Sequence, residues 1–312
     1  MKFYLGVTDN NWFRYLSRIN PEDVNFWQPG GSAGFRVLTP GAPFLFKLKS
    51  PLNAIGGIGF FSSHTFLPIS VAWETFGNRN GCDTFLELTR MIMANRHNRS
   101  DSPIIGCIVL TNPIFFRRED WIDVPRDWSK NIVQGKSYDT ESGTGRALWN
   151  QVEARLEKYL FFDEQDVGKS QLLLEASPSP YSKLILTRVR LGQGAFRVLV
   201  TDAYKRRCAI TGERTLPALE AAHIKPYASS GPHFISNGLL VRSDIHKLFD
   251  TGYITVTPGM KVEVSSRIKQ EFENGREYYQ FHGKGLACMP ERRSDIPDGA
   301  YLEWHNENIY RG

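Results

Sequence analysis

Four polar side chains in the last third of the chain have the types and spacing needed to hydrolyse a phosphodiester bond. They are His223, Asn237, His246 and Asp250, separated by fourteen, nine and four residues within an apolar frame. A neutral histidine can act as the general base that takes a proton from water. A histidine and a carboxylate together can hold a divalent metal ion that polarises a phosphate. An asparagine can fix the loop that aims the base, or add an oxygen ligand to the metal.

The local sequence predicts a compact ββα unit that would bring these side chains together. "ALEAAHI" reads as a strand that ends near His223, "KPYASSGPHFIS" as a loop, and "GLLV" as a second strand. "SDIHKLFD" reads as a short helix with Ser243 as its N-cap. On that helix His246 and Asp250 stand at positions i and i+4, so both project from one face.

The stretch "CAITGERTLPALEAAHIKPYASSGPHFISNGLLVRSDIHKLFDTGYITV" resembles the HNH nucleases, the ββα-metal group, and specifically their bacterial branch of predicted restriction endonucleases. The resemblance extends over about residues 186–310, because "RVRLGQGAFRVLVTDAYKRRCAITG" and "YLEWHNENIY" also match that branch. It implies that His223 is the water-activating base, that Asn237 positions the loop, and that His246 is a metal ligand. Asp250 stands where many relatives have a further ligand. The implied cofactor is a divalent metal ion, with magnesium, manganese and nickel all chemically reasonable.

One departure from the family pattern concerns the metal ligands. Many relatives have Asp or His directly before the catalytic histidine, whereas this chain has Ala222. A sparse site could borrow Glu220, Asp250 or water. Asp250 could equally serve only to end its helix before Thr251, and we expect Glu220 to pair with an arginine rather than with metal.

Two further residues near this unit have ordinary interpretations. His233 lies in the loop between the two strands, where we expect it to be exposed, with DNA contact as the minor alternative. Cys208 is expected to be a small core residue. The four cysteines are far apart and form no CxxC pair, which favours neither a disulfide framework nor a cysteine zinc site and fits a reducing compartment.

The N-terminal half places many aromatic residues among glycines and basic residues, in "NNWFRYL", "NFWQPGG", "LTPGAPFLFKLKSPLNAIGGIGFF" and "AWETFG". The order of helix, turn, strand and glycine-rich strand resembles the PUA-like barrels, which include the EVE, ASCH and SRA readers of modified bases. Such a reader flips a base and stacks it against aromatic side chains. The candidates, as a group, are Trp12, Trp27, Phe61 and Trp73. The alternative for each is a place in the hydrophobic core.

Periodicity predicts the elements of this half. "FLFKLKS" (44–50) reads as a half-buried strand, with Phe44, Phe46 and Leu48 on one face and Lys47 and Lys49 on the other. "AIGGIGFFSS" reads as a strand with a bulge or a close backbone approach, and "PIIGCIVLTNP" as a buried strand ended by Asn-Pro. Helices are predicted at 11–19, 84–94, 144–161 and within 192–208.

The bulk composition places the chain among soluble globular proteins of two domains. It has 312 residues, of which 41% are hydrophobic and 23% charged, and no window resembles a membrane span or a signal peptide. We therefore expect a cytoplasmic location. The predicted fold class is α+β, with a PUA-like recognition domain at 1–162, a Ser-Pro-rich linker at 163–185 and a nuclease domain at 186–312.

Positive charge is concentrated beside the candidate site. The net charge is only +5, but residues 181–215 contain eight basic and two acidic residues. Such a local excess suits a polyanion, and a solvated helix face is the alternative. The candidates for DNA contact are Arg190 and Arg197.

These observations predict a modification-dependent DNA endonuclease of bacterial defence, in which the N-terminal domain recognises modified double-stranded DNA and the C-terminal domain cuts it. A sequence-specific restriction endonuclease acting on unmodified DNA is one alternative. A non-catalytic DNA-binding module is the other. Since one ββα site addresses one strand, cutting both strands would need two nicks or a homodimer.

Overall fold

The computed structural model describes residues 1–30, 34–96, 103–129, 131–163 and 192–312. The chain divides into two compact units, residues 1–190 and residues 191–312. Within the predicted linker, residues 164–185 lie outside the described residues, as does Arg190. No helix among the described residues is long and apolar enough to cross a membrane.

The N-terminal unit is built on one seven-stranded mixed sheet. The strands are β1 Lys2–Thr8, β2 Asp23–Gln28, β3 Pro43–Leu48, β4 Ala54–Pro68, β5 Ile104–Phe115, β6 Ile122–Asp123 and β7 Gly135–Asp139. Six of them follow the order β2-β5-β4-β3-β1-β7, and β6 pairs with β4 beside this path. The β1–β3 pair is parallel and the other pairs are antiparallel.

Helices pack on both faces of this sheet. The predicted positions of three of them are confirmed to within a few residues, whereas the helix at Ile69–Phe76 was not predicted. Two of the helices have side-chain N-caps. The Asp9 side chain accepts hydrogen bonds from the backbone N–H groups of Asn11 and Trp12, and the Thr84 side chain accepts one from the backbone N–H of Glu87. These caps satisfy amide groups that have no partner within the helix. The helices are α1 Asn10–Ile19, α2 Ile69–Phe76, α3 Phe85–Ala94 and α4 Gly143–Asp163.

The expectation that β3 is half-buried is wrong. Phe44 and Phe46 pack into one core cluster, while Leu45 packs into a second cluster on the opposite face, which includes residues of α4. Lys47 faces the second side and is only 7% exposed. Its ammonium contacts the Asn53 side chain at 3.2 Å and lies over the Trp128 ring. The lysine therefore marks a polar contact inside the second core and not a solvated face.

The strand that was predicted to end at Asn112-Pro113 continues to Phe115. Asn112 adopts a positive φ of 47°, which asparagine tolerates better than most residues. Its amide donates to Glu22 O at the end of the neighbouring segment. The Asn-Pro step is therefore an irregularity within the strand.

The C-terminal unit contains the predicted ββα arrangement. Strands β8 Leu219–His223 and β9 Gly238–Arg242 form an antiparallel pair in which His223 is opposite Gly238, and helix α6 Ser243–Asp250 follows directly. The other elements are α5 Gln193–Ala203, β10 Ile254–Val256, β11 Val262–Val264, α7 Arg267–Phe272, α8 Arg276–Tyr279 and α9 Gly299–Asn308. The α+β fold class is thus confirmed.

The start of α6 differs from the prediction. Ser243 is the first residue of the helix, and Arg242 stands at the N-cap without a side-chain cap hydrogen bond. Instead Asp244 in the first turn accepts two hydrogen bonds from the Arg242 guanidinium. A carboxylate in the first turn also interacts favourably with the positive end of the helix dipole.

Candidate active site

His223 stands at the end of β8, and its ring contacts two aromatic side chains. One face stacks on Phe196 of α5, with ring centroids 3.9 Å apart and planes 12° from parallel. Its Nε2 lies 2.8 Å from Nδ1 of His233. Gly238 makes the stack possible, because a Cβ there would lie 3.0 Å from Phe196 Cζ and 2.6 Å from Val200 Cγ2.

The surroundings keep His223 in its neutral form. Burial, followed by the neighbouring His233 and His246, lowers the pKa of His223 to about 4. At neutral pH the imidazole is therefore unprotonated at one nitrogen, which is the form that can accept a proton.

Asn237 fixes the loop that follows His223. Its side chain is fully buried. Its Oδ1 accepts from Lys225 N at 2.9 Å, while its Nδ2 donates to Lys225 O at 3.0 Å and to Pro232 O at 2.9 Å. Both ends of the loop are thereby attached to one amide. Gly231 allows the close turn, since a Cβ there would lie 1.9 Å from Lys225 O.

His246 lies between two carboxylates. Its Nδ1 is 2.6 Å from Glu220 Oε2, and its Nε2 is 3.4 Å from Asp250 Oδ2. The expectation that Glu220 pairs with an arginine is wrong, because β8 directs it towards His246. Burial raises the pKa of Asp250 above its ordinary value. The neighbouring His246 opposes this rise, and the nearby Glu220 carboxylate adds to it.

The side chains predicted to act together do converge. His223, His246 and Asp250 line one pocket of about 210 Å³, together with Tyr227. Asn237 stands behind the loop that forms part of its wall. Ala222, in contrast, is fully buried in the core. The position before His223 therefore contributes packing, because successive strand residues point to opposite faces.

The donor set fits a divalent cation held by few protein ligands. Two ligands at right angles, each about 2.1 Å from an ion, are about 3 Å apart, close to the 3.4 Å between His246 Nε2 and Asp250 Oδ2. Glu220 then orients the His246 ring through Nδ1, as carboxylates commonly do for metal-bound histidines. Among the described residues no group of three or more His, Cys, Asp or Glu has a metal-binding arrangement. Such a site suits an ion that retains water and binds phosphate oxygens.

The aromatic candidates of the N-terminal unit separate into two groups. Trp12 and Phe61 are 3% and 5% exposed and belong to one core cluster. Because both rings are buried, neither has a free face on which a nucleobase could stack, so Trp12 and Phe61 are not part of a base-binding site. Trp27 and Trp73 are half-buried. The Trp27 indole donates to Asn80 O, and Trp73 lies 6.4 Å from the ring of Phe85.

The basic cluster is only partly available to a polyanion. Lys205 is paired with Glu291, and Arg206 lies 3.8 Å from Asp202. Arg197 is half-buried on α5, next to Phe196. Cys208 is buried in the C-terminal core, as predicted.

The sequence did not reveal two contacts of the site. His233 was expected to be exposed, yet it is half-buried and contacts His223. A ten-residue separation across a Pro- and Gly-rich loop carries no periodicity that would indicate this contact. Phe196 lies on the helix predicted within 192–208, but the helical pattern gives no sign that it stacks on His223.

A ββα unit with a histidine at the strand end and a histidine-carboxylate pair on the helix is the arrangement that the sequence predicts for a nuclease site. Residues 208–257 match the family model described as HNH endonuclease. The C-terminal unit therefore contains an HNH endonuclease domain, for which DNA is the substrate, and the predicted enzyme class is confirmed.

Comparison with solved structures gives weaker likenesses. The ASCH protein from Zymomonas mobilis is 10% identical, with 44% of this chain and 89% of that chain covered and a TM-score of 0.32. The modification-dependent restriction endonuclease TagI is 12% identical, with 92% of this chain and 75% of that chain covered and a TM-score of 0.28. Both TM-scores are low. Comparison with curated proteins gave no significant match.

Proposed function

We propose that this protein is a metal-dependent DNA endonuclease in which His223 activates the attacking water. One observation carries this proposal: His223 at the end of β8 and the pair His246 and Asp250 on α6 line the same pocket. A neutral base and a metal-binding pair in one pocket are the two components that phosphodiester hydrolysis requires.

Each residue then has a defined task. His223 takes the proton from water as it attacks phosphorus, and Asn237 keeps the following loop in place. His246 and Asp250 would hold the divalent ion, and Glu220 would orient His246. When bound, the ion would stabilise the charge on the phosphate and on the leaving 3′-oxygen. Magnesium, manganese and nickel are the ions to compare.

Replacing the base tests this assignment. His223→Ala should reduce plasmid cleavage by at least about a hundredfold, because general-base catalysis contributes that much or more. Binding to uncleaved DNA, measured by fluorescence anisotropy, should stay nearly unchanged. His282→Ala is the matched control, since His282 is exposed and outside the pocket. Loss of binding together with cleavage in His223→Ala would count against a base.

We further propose that the N-terminal unit directs cutting to modified DNA, as part of bacterial defence. A small nuclease unit of this kind has little means of choosing a sequence, and the chain carries a separate sheet-based unit with its own core. Half-buried Trp27 and Trp73 are the remaining candidates for stacking on a flipped base.

Three matched plasmids would test this targeting: unmodified, cytosine-methylated or hydroxymethylated, and phosphorothioated. Cutting confined to one modified plasmid supports modification dependence. Equal cutting of all three keeps the nuclease and discards the modification reader, and a fixed cut site on unmodified DNA would indicate a sequence-specific restriction endonuclease. Binding without cutting under any of the three metals would indicate a non-catalytic module.

A further inference from the structure

His233 makes the one side-chain hydrogen bond that His223 forms among the described residues. The bond joins Nε2 of His223 to Nδ1 of His233 over 2.8 Å. We propose that His233 is a positioning residue that holds His223 in one tautomer, with the proton on Nε2, so that Nδ1 is the atom that takes the proton from water. This inference rests on the proposed nuclease function.

The inventory of donors and acceptors allows two arrangements of this hydrogen bond, and the proposed role of His223 as the base selects one of them. A hydrogen bond between two neutral imidazoles needs one N–H and one unprotonated nitrogen. If Nε2 of His223 carries the proton, it donates to Nδ1 of His233, and Nδ1 of His223 is left unprotonated. The opposite arrangement would put the proton of His223 on Nδ1, and neither nitrogen could then act as a base while the bond lasts.

The loop holds His233 in the acceptor position by two contacts. Its ring stacks on Tyr227, with centroids 4.7 Å apart and planes 13° from parallel. The carbonyl of its neighbour Pro232 accepts a hydrogen bond from Asn237. Asn237 therefore acts on the base twice, through the segment that follows His223 and through the segment that carries His233.

An imidazole partner, unlike a carboxylate, adds no negative charge beside the base. A carboxylate beside His223 would favour the imidazolium and raise the pKa. An imidazole acceptor orients the ring in the same way as the carboxylate of a Ser-His-Asp triad, without adding a negative charge. When His223 takes a proton at Nδ1, its Nε2–H remains bonded to His233, so the ring keeps its orientation through proton transfer.

Two variants separate the hydrogen bond from the packing of the ring. His233→Phe keeps a flat ring against Tyr227 and removes the acceptor. His233→Asn loses the stack but can place an amide oxygen where Nδ1 lies. We expect His233→Phe to lower kcat by about ten- to a hundredfold at saturating metal, with little change in KM, and His233→Asn to retain most of the activity.

The assay includes wild type and His223→Ala, so the two proposals fail separately. If wild type cuts, His223→Ala does not, and His233→Phe is as active as wild type while His233→Asn is impaired, then stacking is what matters and the positioning role is overturned. An inactive wild type would overturn the nuclease function.

A second readout does not need activity. In the full-length protein with ¹⁵N-labelled histidine, the shifts of the His223 ring nitrogens report which of them carries the proton, and His223→Gln identifies the signals. We expect the proton on Nε2 in wild type and in His233→Asn, and a mixture of tautomers in His233→Phe. A wild-type proton on Nδ1 would overturn the inference.

Discussion

The contact between Glu220 and His246 determines which nitrogen of His246 faces the pocket. Nδ1 is occupied by Glu220, so Nε2 is left on the side of Asp250. Glu220→Gln would keep an acceptor but remove its charge, which makes His246 a weaker ligand. We expect the Mn²⁺ concentration that gives half-maximal cleavage to rise about tenfold, and the calorimetric affinity for Mn²⁺ to fall by a similar factor.

The matched control for this change is Glu303→Gln. Glu303 is an exposed residue of α9, outside the pocket, and undergoes the same loss of charge. Its metal dependence should equal that of wild type. If both variants shifted alike, the effect would come from the overall charge of the unit and the orienting role of Glu220 would be refuted.

His305 provides a prediction about pH and stability. It is 2% exposed, accepts a hydrogen bond from Thr255 and donates one to Phe249 O, and burial lowers its pKa to about 4. The ordinary histidine pKa is about 6.5, so between these values the unfolded chain binds a proton that the folded chain does not. The contribution of His305 to the free energy of unfolding is therefore complete above about pH 6.5 and is lost as the pH falls towards 4.

Urea titrations of wild type and His305→Gln measure this contribution. Between about pH 7.5 and about pH 5, wild type should lose about 2 kcal/mol of unfolding free energy through His305 alone. His305→Gln cannot titrate there, and its loss over the same interval should be smaller by that amount. Equal losses in the two proteins would show that His305 is not a buried neutral group.

Spacing was sufficient to predict that the four candidate residues lie close together, but not which other residues they contact. His246 and Asp250 share a helix, so i and i+4 geometry predicts their proximity, and β8 carries His223 to the same place. Glu220 and His233 could not be assigned in this way. The first depends on the direction in which β8 turns its side chains towards α6, and the second on the path of a loop.

At the scale of elements, α5 and β9 meet beside His223 at the candidate site. Gly238 pairs with His223, and Phe196 of α5 packs over both. Gly238→Ala would place a methyl group 2.6 Å from Val200 Cγ2 and 3.0 Å from Phe196 Cζ, so α5 must move or Phe196 must leave the His223 ring. We expect a loss of about 1–3 kcal/mol in unfolding free energy and a lower kcat.

Gly259→Ala is the control for the backbone effect of replacing glycine. A Cβ there meets only Thr257 Oγ1, at 3.6 Å, in an exposed turn. Stability and cleavage should both stay close to wild type. Should Gly238→Ala also be as stable and active as wild type, the expected displacement of Phe196 by the added methyl group would be refuted.

Sequence patterns were less reliable for strands that are covered on both faces. Lys47 and Lys49 alternate with apolar residues in β3, which is the pattern of a strand with one wet face. The structure covers that second face with α4, and Lys47 is retained there by Asn53 and Trp128. Helices α1, α3 and α4 were easier to predict, because an apolar stripe along a helix is a local feature.

At the scale of the whole molecule, the chain combines one nuclease site with one sheet-based unit. Each unit has its own hydrophobic core. Local sequence patterns could therefore predict each unit separately, but they do not show whether the two units act together. The nuclease half was assigned through chemistry-bearing residues at fixed spacing. The recognition role proposed for the other half was predicted from scattered aromatic residues, and the burial of Trp12 and Phe61 shows that such residues can belong to the core instead.

The number of sites per chain leads to the last prediction. One pocket contains one His223, so a single chain cuts one strand in each binding event. On a supercoiled plasmid that it recognises, the protein should therefore produce nicked circles first and linear DNA later, unless two chains act together.

A time course on agarose gels at several protein concentrations distinguishes these routes. With independent nicks, the rates of both steps rise in proportion to protein concentration. With paired chains, linear DNA appears without a nicked intermediate, and its rate rises with about the square of the concentration at low occupancy. Mixing wild type with excess His223→Ala also distinguishes the two routes. An inactive chain in a pair would prevent that pair from cutting both strands, whereas inactive single chains would only compete with wild type for DNA.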